Sequence, residues 1–169
     1  MKSPMTAARA HASLAGLGLV LLMSACAPST PDVDAWRTNA QHALSDGASA
    51  VHAAEVALRL RTRDRIYDPY LQTVLVDAEE AIGVAGDTIG TQQPPRAERA
   101  WYDAVTGELE KASSLVATAR IAVVDGETRR YAALTDRLAD AASALQGLEE
   151  DLKQAVDRPS RAAAVEAAR

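Results

Sequence analysis

The chain has few of the side chains on which catalysis or metal binding usually depends. It contains one cysteine, Cys26, and three histidines, His11, His42 and His52. A single cysteine permits neither an intramolecular disulfide nor a cluster of thiolate ligands. His42 and His52 are ten residues apart, which on one helix is a rotation of about 280° and a rise of about 15 Å, so they do not bind one metal ion together. We therefore predict no metal or cofactor site and expect both histidines at or near the surface.

Motifs for nucleophilic catalysis and phosphate binding are missing from the sequence. No serine stands in a Gly-x-Ser-x-Gly motif, and no Glu-x-x-His indicates a di-iron centre. Gly83, Gly86 and Gly90 lack the Lys-Ser/Thr ending of a phosphate-binding loop and indicate the end of a helix. An enzyme is therefore the least expected function. The serines of the predicted helices are Ser45, Ser49, Ser113, Ser114 and Ser143.

The charged clusters leave two interpretations open in each case. Runs of carboxylates usually form solvated helix faces, and a cation site is the alternative. Arginines at the end of the first predicted helix complement the helix dipole, and binding of an anionic partner such as a cell-wall polymer is the alternative. The carboxylate runs are Asp77, Glu79 and Glu80, and Glu149, Glu150 and Asp151. The arginines are Arg59, Arg61, Arg63 and Arg65.

The N-terminal residues have the three-part pattern of a bacterial export signal. Residues 1–11 carry Lys2 and Arg9 and no acid, residues 12–23 are uncharged and apolar, and two small residues follow. The apolar run is about a dozen residues long, which is shorter than the roughly 20 that a membrane-spanning helix requires. The pattern predicts a signal peptide over residues 1–25 and disfavours a permanent transmembrane anchor.

The end of this signal contains a second motif, formed by Met23, Ser24, Ala25 and Cys26. It resembles the lipobox of bacterial lipoproteins, in which an apolar residue, usually Leu, and two small residues precede the cysteine. The resemblance covers about the first 26 residues. It implies that Cys26 is the lipid attachment site, carries diacylglyceryl on sulfur, becomes the mature N-terminus and can carry a palmitate-like chain on its amine. An ordinary signal peptide with an incidental cysteine, or a buried structural cysteine, is the alternative.

Residues 26–34 follow as a short segment that contains Pro28 and Pro31 and has no apolar periodicity, which is typical of a flexible tether. Leader and tether together predict a lipid-anchored protein outside the cytoplasm, attached to the cell membrane through Cys26. Removal of Lys2 and Arg9 changes the formal net charge from −5 to about −7. This acidic character disfavours a nucleic-acid partner, which would require a basic face.

The remaining chain is suited to an Ala-rich helical core. Hydrophobic residues make up 48% of the sequence, yet only 4% is aromatic and Phe is absent, so Ala, Leu and Val must supply the core. Four segments repeat apolar residues on one helical face. We predict an all-α, antiparallel up-down-up-down four-helix bundle over residues 35–157 and a loose or partly helical tail over residues 158–169 after Pro159.

Local signals set the boundaries of the first two helices. The first apolar stripe runs through residues 44, 51 and 58 and predicts a helix from near Val33 to near Thr62. Asp68 is a suitable N-cap for the second helix, and Pro69 is a suitable first helical residue. The prolines at positions 94 and 95 end this helix, and the third is expected to begin near Pro95.

The third and fourth predicted helices are separated by a shift in their apolar stripes. Continuation of the third stripe from Val123 would reach Arg130, whereas the fourth stripe begins at Tyr131. Asp125 and Gly126 lie at this shift, and glycine commonly ends a helix. We therefore predict a short turn between two helices instead of one long helix.

Aromatic residues are expected at both ends of the bundle, where their rings would close the small-residue core. The alternative is that Trp36 and Trp101 contact lipid headgroups, as interfacial aromatic residues do. The group at the tether end is Trp36, Trp101 and Tyr102, and the group at the far end is Tyr67, Tyr70 and Tyr131.

These features favour a non-enzymatic, membrane-tethered protein with a structural or protein-interaction role in the cell envelope. The expected partners are the membrane, through lipidated Cys26, and an unidentified envelope protein or polymer. Long Ala/Leu stripes also pair between chains, which allows a homodimer. A module that binds or senses a small ligand is the alternative, and it would need an apolar cavity with a few polar groups.

Overall fold

The computed structural model describes the backbone of residues 32–167 and the side chains of residues 32–155. The predicted signal peptide, Cys26 and most of the tether lie outside the described residues. The described part consists of four long α-helices and contains no strand, which confirms an all-α helical bundle. The helices are α1 (Val33–Thr62), α2 (Asp68–Gly90), α3 (Arg99–Val124) and α4 (Tyr131–Ala167).

Helix α1 begins and ends where the sequence predicts. The Asp34 N–H donates to the Asp32 carboxylate at 3.0 Å and thereby caps the first turn. At the other end, Asp64 adopts a positive φ of 53°, and the Arg65 N–H donates to the Leu60 carbonyl at 2.9 Å. This turn gives a carbonyl of the last helical turn a hydrogen-bond donor, and it ends the helix so that the chain can continue to α2.

The start of α2 corrects the capping prediction. Asp68 is the first helical residue, and Tyr67 occupies the cap position without a side-chain hydrogen bond. The Asp68 carboxylate instead accepts a hydrogen bond from Arg61 Nε at 2.6 Å. A charged partner at the end of α1 therefore competes successfully with the helix N-terminus for this carboxylate.

A turn separates α3 from α4, as predicted from the shift in the apolar stripes. Gly126 has a φ of +67°, a conformation that glycine adopts without steric cost, and the Glu127 N–H donates to the Ala122 carbonyl at 2.9 Å. A single 3-10 turn, Thr128–Arg130, then leads into α4. Another 3-10 turn, Arg96–Glu98, precedes α3, which begins four residues after the expected Pro95.

The C-terminal end of α4 lies in the segment for which the sequence predicts a loose or partly helical tail, residues 158–169. The backbone is helical through Pro159 and ends at Ala167. Proline removes one hydrogen bond from a helix interior, but the following Ala-rich residues 162–168 have the strongest intrinsic preference for helix. The helix therefore extends beyond the proline at which a break was expected.

The inward faces of the four helices share one core of buried apolar side chains. Gly47 on α1 permits a close approach within it, because a Cβ at this position would lie 2.7 Å from Leu109 Cδ2 on α3. The large side chains that are fully buried include Leu44, Leu58, Leu71, Leu75, Ile82, Ile89, Leu109, Leu138, Leu145 and Leu152.

Polar side chains link the helices near their ends. Arg37 on α1 donates two hydrogen bonds to Glu98, from Nη2 to Oε1 at 2.7 Å and from Nε to Oε2 at 3.1 Å. Asn39 Nδ2 donates to Gln92 Oε1 at 3.2 Å, just beyond the end of α2. These contacts fix the start of α1 against the connection between α2 and α3.

Candidate functional site

A groove between α1 and α2 is the clearest candidate site. It encloses about 690 Å³, which lies within the range of ligand pockets, and it is open to solvent. Buried alanines form its floor, and exposed side chains, mostly polar but including Ala81 and Val84, form its walls. The apolar residues are Ala43, Ala50, Ala81, Val84 and Ala85. The polar residues are His42, Asp46, Ser49, Asp77, Glu80 and Thr88, and we call this site the acidic groove.

Helical periodicity places the polar residues of the acidic groove beside the core and not within it. On α1, His42, Asp46 and Ser49 follow one another at intervals of four and three residues, so they form one strip along the helix. On α2, Asp77, Val84 and Thr88 form the facing strip, at intervals of seven and four. The core stripes of both helices point inward, so these strips flank the seam at which α1 and α2 meet.

The carboxylates of the acidic groove have no cationic partner among the described side chains. Asp46, Asp77 and Glu80 are exposed and form no ion pair there. In contrast, neighbouring Glu79 accepts from Arg120 Nε on α3 at 2.6 Å, and this bond raises the pKa of Arg120. The groove therefore presents uncompensated negative charge, which attracts cations.

The acidic groove is not assembled as a metal centre in the described residues. Across residues 32–155, no three side chains of His, Cys, Asp or Glu gather closely enough to hold a metal ion. His42 and His52 are both exposed, as predicted. The arrangement instead offers dispersed negative charge around an apolar floor, which suits non-covalent binding of an extended cationic ligand.

The two predicted carboxylate runs have different environments in the structure. In the first run, Asp77 and Glu80 line the acidic groove, whereas Glu79 turns toward α3. In the second run, Glu149 accepts from Lys153 Nζ at 2.5 Å within α4. That bond, together with the charge on Glu150, raises the pKa of Lys153. The second run therefore behaves as a solvated helix face.

A second groove, of about 480 Å³, lies between α2 and α3. Gly83, Gly86 and Gly90 form one wall, and Tyr102 and Thr106 belong to the other. A Cβ at any of the three glycines would meet no atom within 4 Å. Gly90 ends α2 as predicted, but the other two glycines lie inside the helix and leave its flank open.

Sequence reasoning missed two buried carboxylates. Glu55 is fully buried on α1, where Oε1 contacts Arg59 and Oε2 lies 3.5 Å from His52 Nδ1 without a hydrogen bond. Glu98 is buried and receives both hydrogen bonds from Arg37. Burial of a carboxylate is costly without a charged partner, so these two residues serve the fold. An arginine four residues after Glu55 is the only sequence signal for the first pair.

The arginine cluster at the end of α1 is partly neutralised. Arg61 binds Asp68 and Asp64, and its hydrogen bond holds the pKa of Asp68 below the ordinary carboxyl range. Arg63 and Arg65 are exposed and have no carboxylate partner among the described residues. Ion pairs that stabilise the helix end therefore explain Arg61, whereas Arg63 and Arg65 face solvent.

The aromatic residues do not all close the bundle ends. Trp36 and Tyr131 are buried, with 3% and 2% of their surface exposed, and burial raises the pKa of Tyr131. Tyr67 and Tyr70 are 85% and 61% exposed, so the prediction is wrong for them. Burial of Trp36 also argues against its contact with lipid headgroups, while Trp101 is half-buried against the core.

None of the helices in residues 32–167 combines the length and the apolar character needed to cross a bilayer. No known protein family, curated protein or solved structure matches the chain.

Proposed function

We propose that the protein is a lipoprotein tethered to a membrane of the cell envelope and that its helical domain acts by non-covalent binding. The observation that carries the binding role is the acidic groove, where an apolar floor lies between unpaired carboxylates. The extracytoplasmic location rests on the leader and on Cys26 in its lipobox-like motif. The proposed partners are the membrane, through the lipid on Cys26, and a protein or polymer of the envelope.

We further propose an antiparallel up-down-up-down bundle with an Ala-rich core. Arg61 and Asp68 join the end of α1 to the start of α2, and Asn39 and Gln92 join the start of α1 to the end of α2. Both contacts support opposite directions for these helices. Within residues 32–155, twelve of the thirty buried apolar side chains are alanines, which supports close approach of the helices.

Mass spectrometry of the native protein tests the lipoprotein assignment. In the membrane fraction of the native host, the expected species begins at Cys26 and carries an added diacylglyceryl group. Substitution Cys26→Ser should abolish both the lipid and the membrane retention, because no other residue of the motif provides a thiol. Thr30→Ser, a small change outside the motif, is the matched control and should behave as wild type. Cleavage before Cys26 without added lipid would overturn the proposal in favour of a secreted protein.

A small-ligand sensor is a second candidate, and the groove lined by Gly83 and Gly86 favours it. That groove is apolar along the glycines and carries the hydroxyl groups of Tyr102 and Thr106. Gly86→Val would place a side chain in the open space of this groove, where a Cβ meets nothing within 4 Å. Thermal stabilisation by an envelope metabolite that disappears in Gly86→Val would support the sensor, and equal stabilisation of both proteins would reject this groove as its site.

A further inference from the structure

We infer that the acidic groove receives a cationic amphipathic helix of a partner protein. This inference rests on the proposed interaction role and adds the chemistry of the partner. Three features of the groove carry it: its length, its floor of small side chains and the position of its carboxylates.

The dimensions of the groove fit a helical segment. Its α2 wall extends from Asp77 to Thr88, which is about 17 Å at 1.5 Å per residue, or three helical turns. Alanines on both helices form the floor, and short side chains allow the axis of a third helix to approach closely. Val84 lies on the wall with 60% of its surface exposed, so its side chain is free to pack against an apolar residue of the bound helix.

The carboxylates of the acidic groove indicate that the bound helix carries cationic side chains on both sides of its apolar stripe. Asp77 and Glu80 are three residues apart on α2 and thus about one turn apart, whereas Asp46 lies on the opposite wall. A ligand with an apolar stripe between Lys or Arg residues would place cations against both walls and bury the stripe on the alanines. The carboxylates are spread along the groove and do not converge, so an extended polycation fits them better than a single ion.

The neighbouring surfaces do not offer the same complementarity. Glu79 lies between Asp77 and Glu80 in sequence, but Arg120 already neutralises it. The second groove is also lined by two acids, Asp87 and Glu110, but it has three glycines and no alanine, so it lacks the floor of methyl groups on which an apolar stripe would pack. Anionic partners would be repelled by the acidic groove, so the charge pattern selects for cationic segments.

A fluorescence anisotropy titration tests this inference on the full-length protein in a non-ionic detergent. The probe is a synthetic 18-residue helix with a Leu/Ala stripe flanked by lysines, labelled with fluorescein. The variant Asp77→Asn/Glu80→Gln should weaken binding at least about tenfold, since two charge-assisted contacts are lost. Asp136→Asn/Asp140→Asn is the matched control, because it removes two exposed, unpaired charges from α4 and should bind as wild type.

Two further measurements keep the test independent of folding. Ala81→Arg places a cation on an exposed wall position and should abolish binding while the helical circular dichroism stays unchanged. A peptide with glutamate in place of lysine should not bind. Equal weakening by the groove variant and the control variant would overturn the inference, as would complete competition by spermine, which would assign the groove to a small polyamine.

The outcomes also separate this inference from the proposed function. Failure of the peptide to bind a protein that carries lipid on Cys26 overturns the groove assignment alone. Peptide binding by a protein that carries no lipid overturns the membrane tether alone.

Discussion

Helices α1 and α2 both contain a glycine and a glutamate within the helix, but on α1 these two residues are covered by neighbouring helices and on α2 they are not. Gly47 of α1 packs against Leu109, whereas Gly83 of α2 faces open space. Glu55 of α1 is fully buried, whereas Glu80 of α2 is exposed in the acidic groove. Coverage by a neighbouring helix, and not residue type, therefore separates the packing surfaces of this bundle from the surfaces available for binding.

The largest expected effect comes from a covered ion pair. Arg37→Leu should lower the free energy of unfolding by about 3 kcal/mol, because it leaves the buried Glu98 carboxylate without its charged partner. Urea unfolding followed by circular dichroism measures the change. Arg99→Leu, at an exposed position without an ion-pair partner among the described residues, is the control and should change stability by less than about 0.5 kcal/mol. A loss as small as that of the control would show that the pair contributes little to the fold.

Alanine substitution of the two glycines should give changes of opposite sign. Gly83→Ala is expected to raise the free energy of unfolding by about 1 kcal/mol, because alanine favours helix and the position has room. Gly47→Ala gains the same preference but forces Leu109 to move within the core, at a cost of about 2 kcal/mol, so stability should fall. Thermal unfolding of the two variants compares them directly, and stabilisation by both would mean that the core around Leu109 adapts freely.

The smallest effect is expected at the junction between the two helices. Arg61 lowers the pKa of Asp68 mainly through its side-chain hydrogen bond, against the opposing effect of burial. Because the folded pKa lies below the unfolded value of about 3.9, this contact stabilises the fold above that pH and is lost as the pH falls through the folded pKa. The stability difference between wild type and Asp68→Asn should therefore persist at neutral pH and vanish in acid. A difference independent of pH would contradict the role of the charge.

Several parts of this fold follow from the sequence because they depend on local signals. The stripe through Leu44, Val51 and Leu58 repeats every seven residues, so the span of α1 could be predicted at both ends. The turn at Gly126 could be predicted because the apolar stripes on either side of it are out of phase. Both signals lie inside or directly beside the helices whose extent they predict.

Other features depend on which helix lies beside a given residue, and sequence alone does not specify this. Asp77 and Glu79 stand two residues apart, but one lines the acidic groove and the other binds Arg120. Asp68 has a residue type and position suited to an N-cap, but Arg61 from the preceding helix binds its carboxylate. The burial of Glu55 was missed for the same reason, since its cover comes from tertiary packing.

Alanine-methyl NMR on the full-length protein with the cationic helical peptide tests most directly whether the uncovered flank of α2 is a binding surface. The methyl signals of Ala43, Ala50, Ala81 and Ala85 should shift on addition of peptide, because these residues line the acidic groove. The signals of Ala112 and Ala119, buried on α3, should not shift. Shifts spread evenly over the alanines, or concentrated away from α1 and α2, would contradict the assignment of this groove as the binding site.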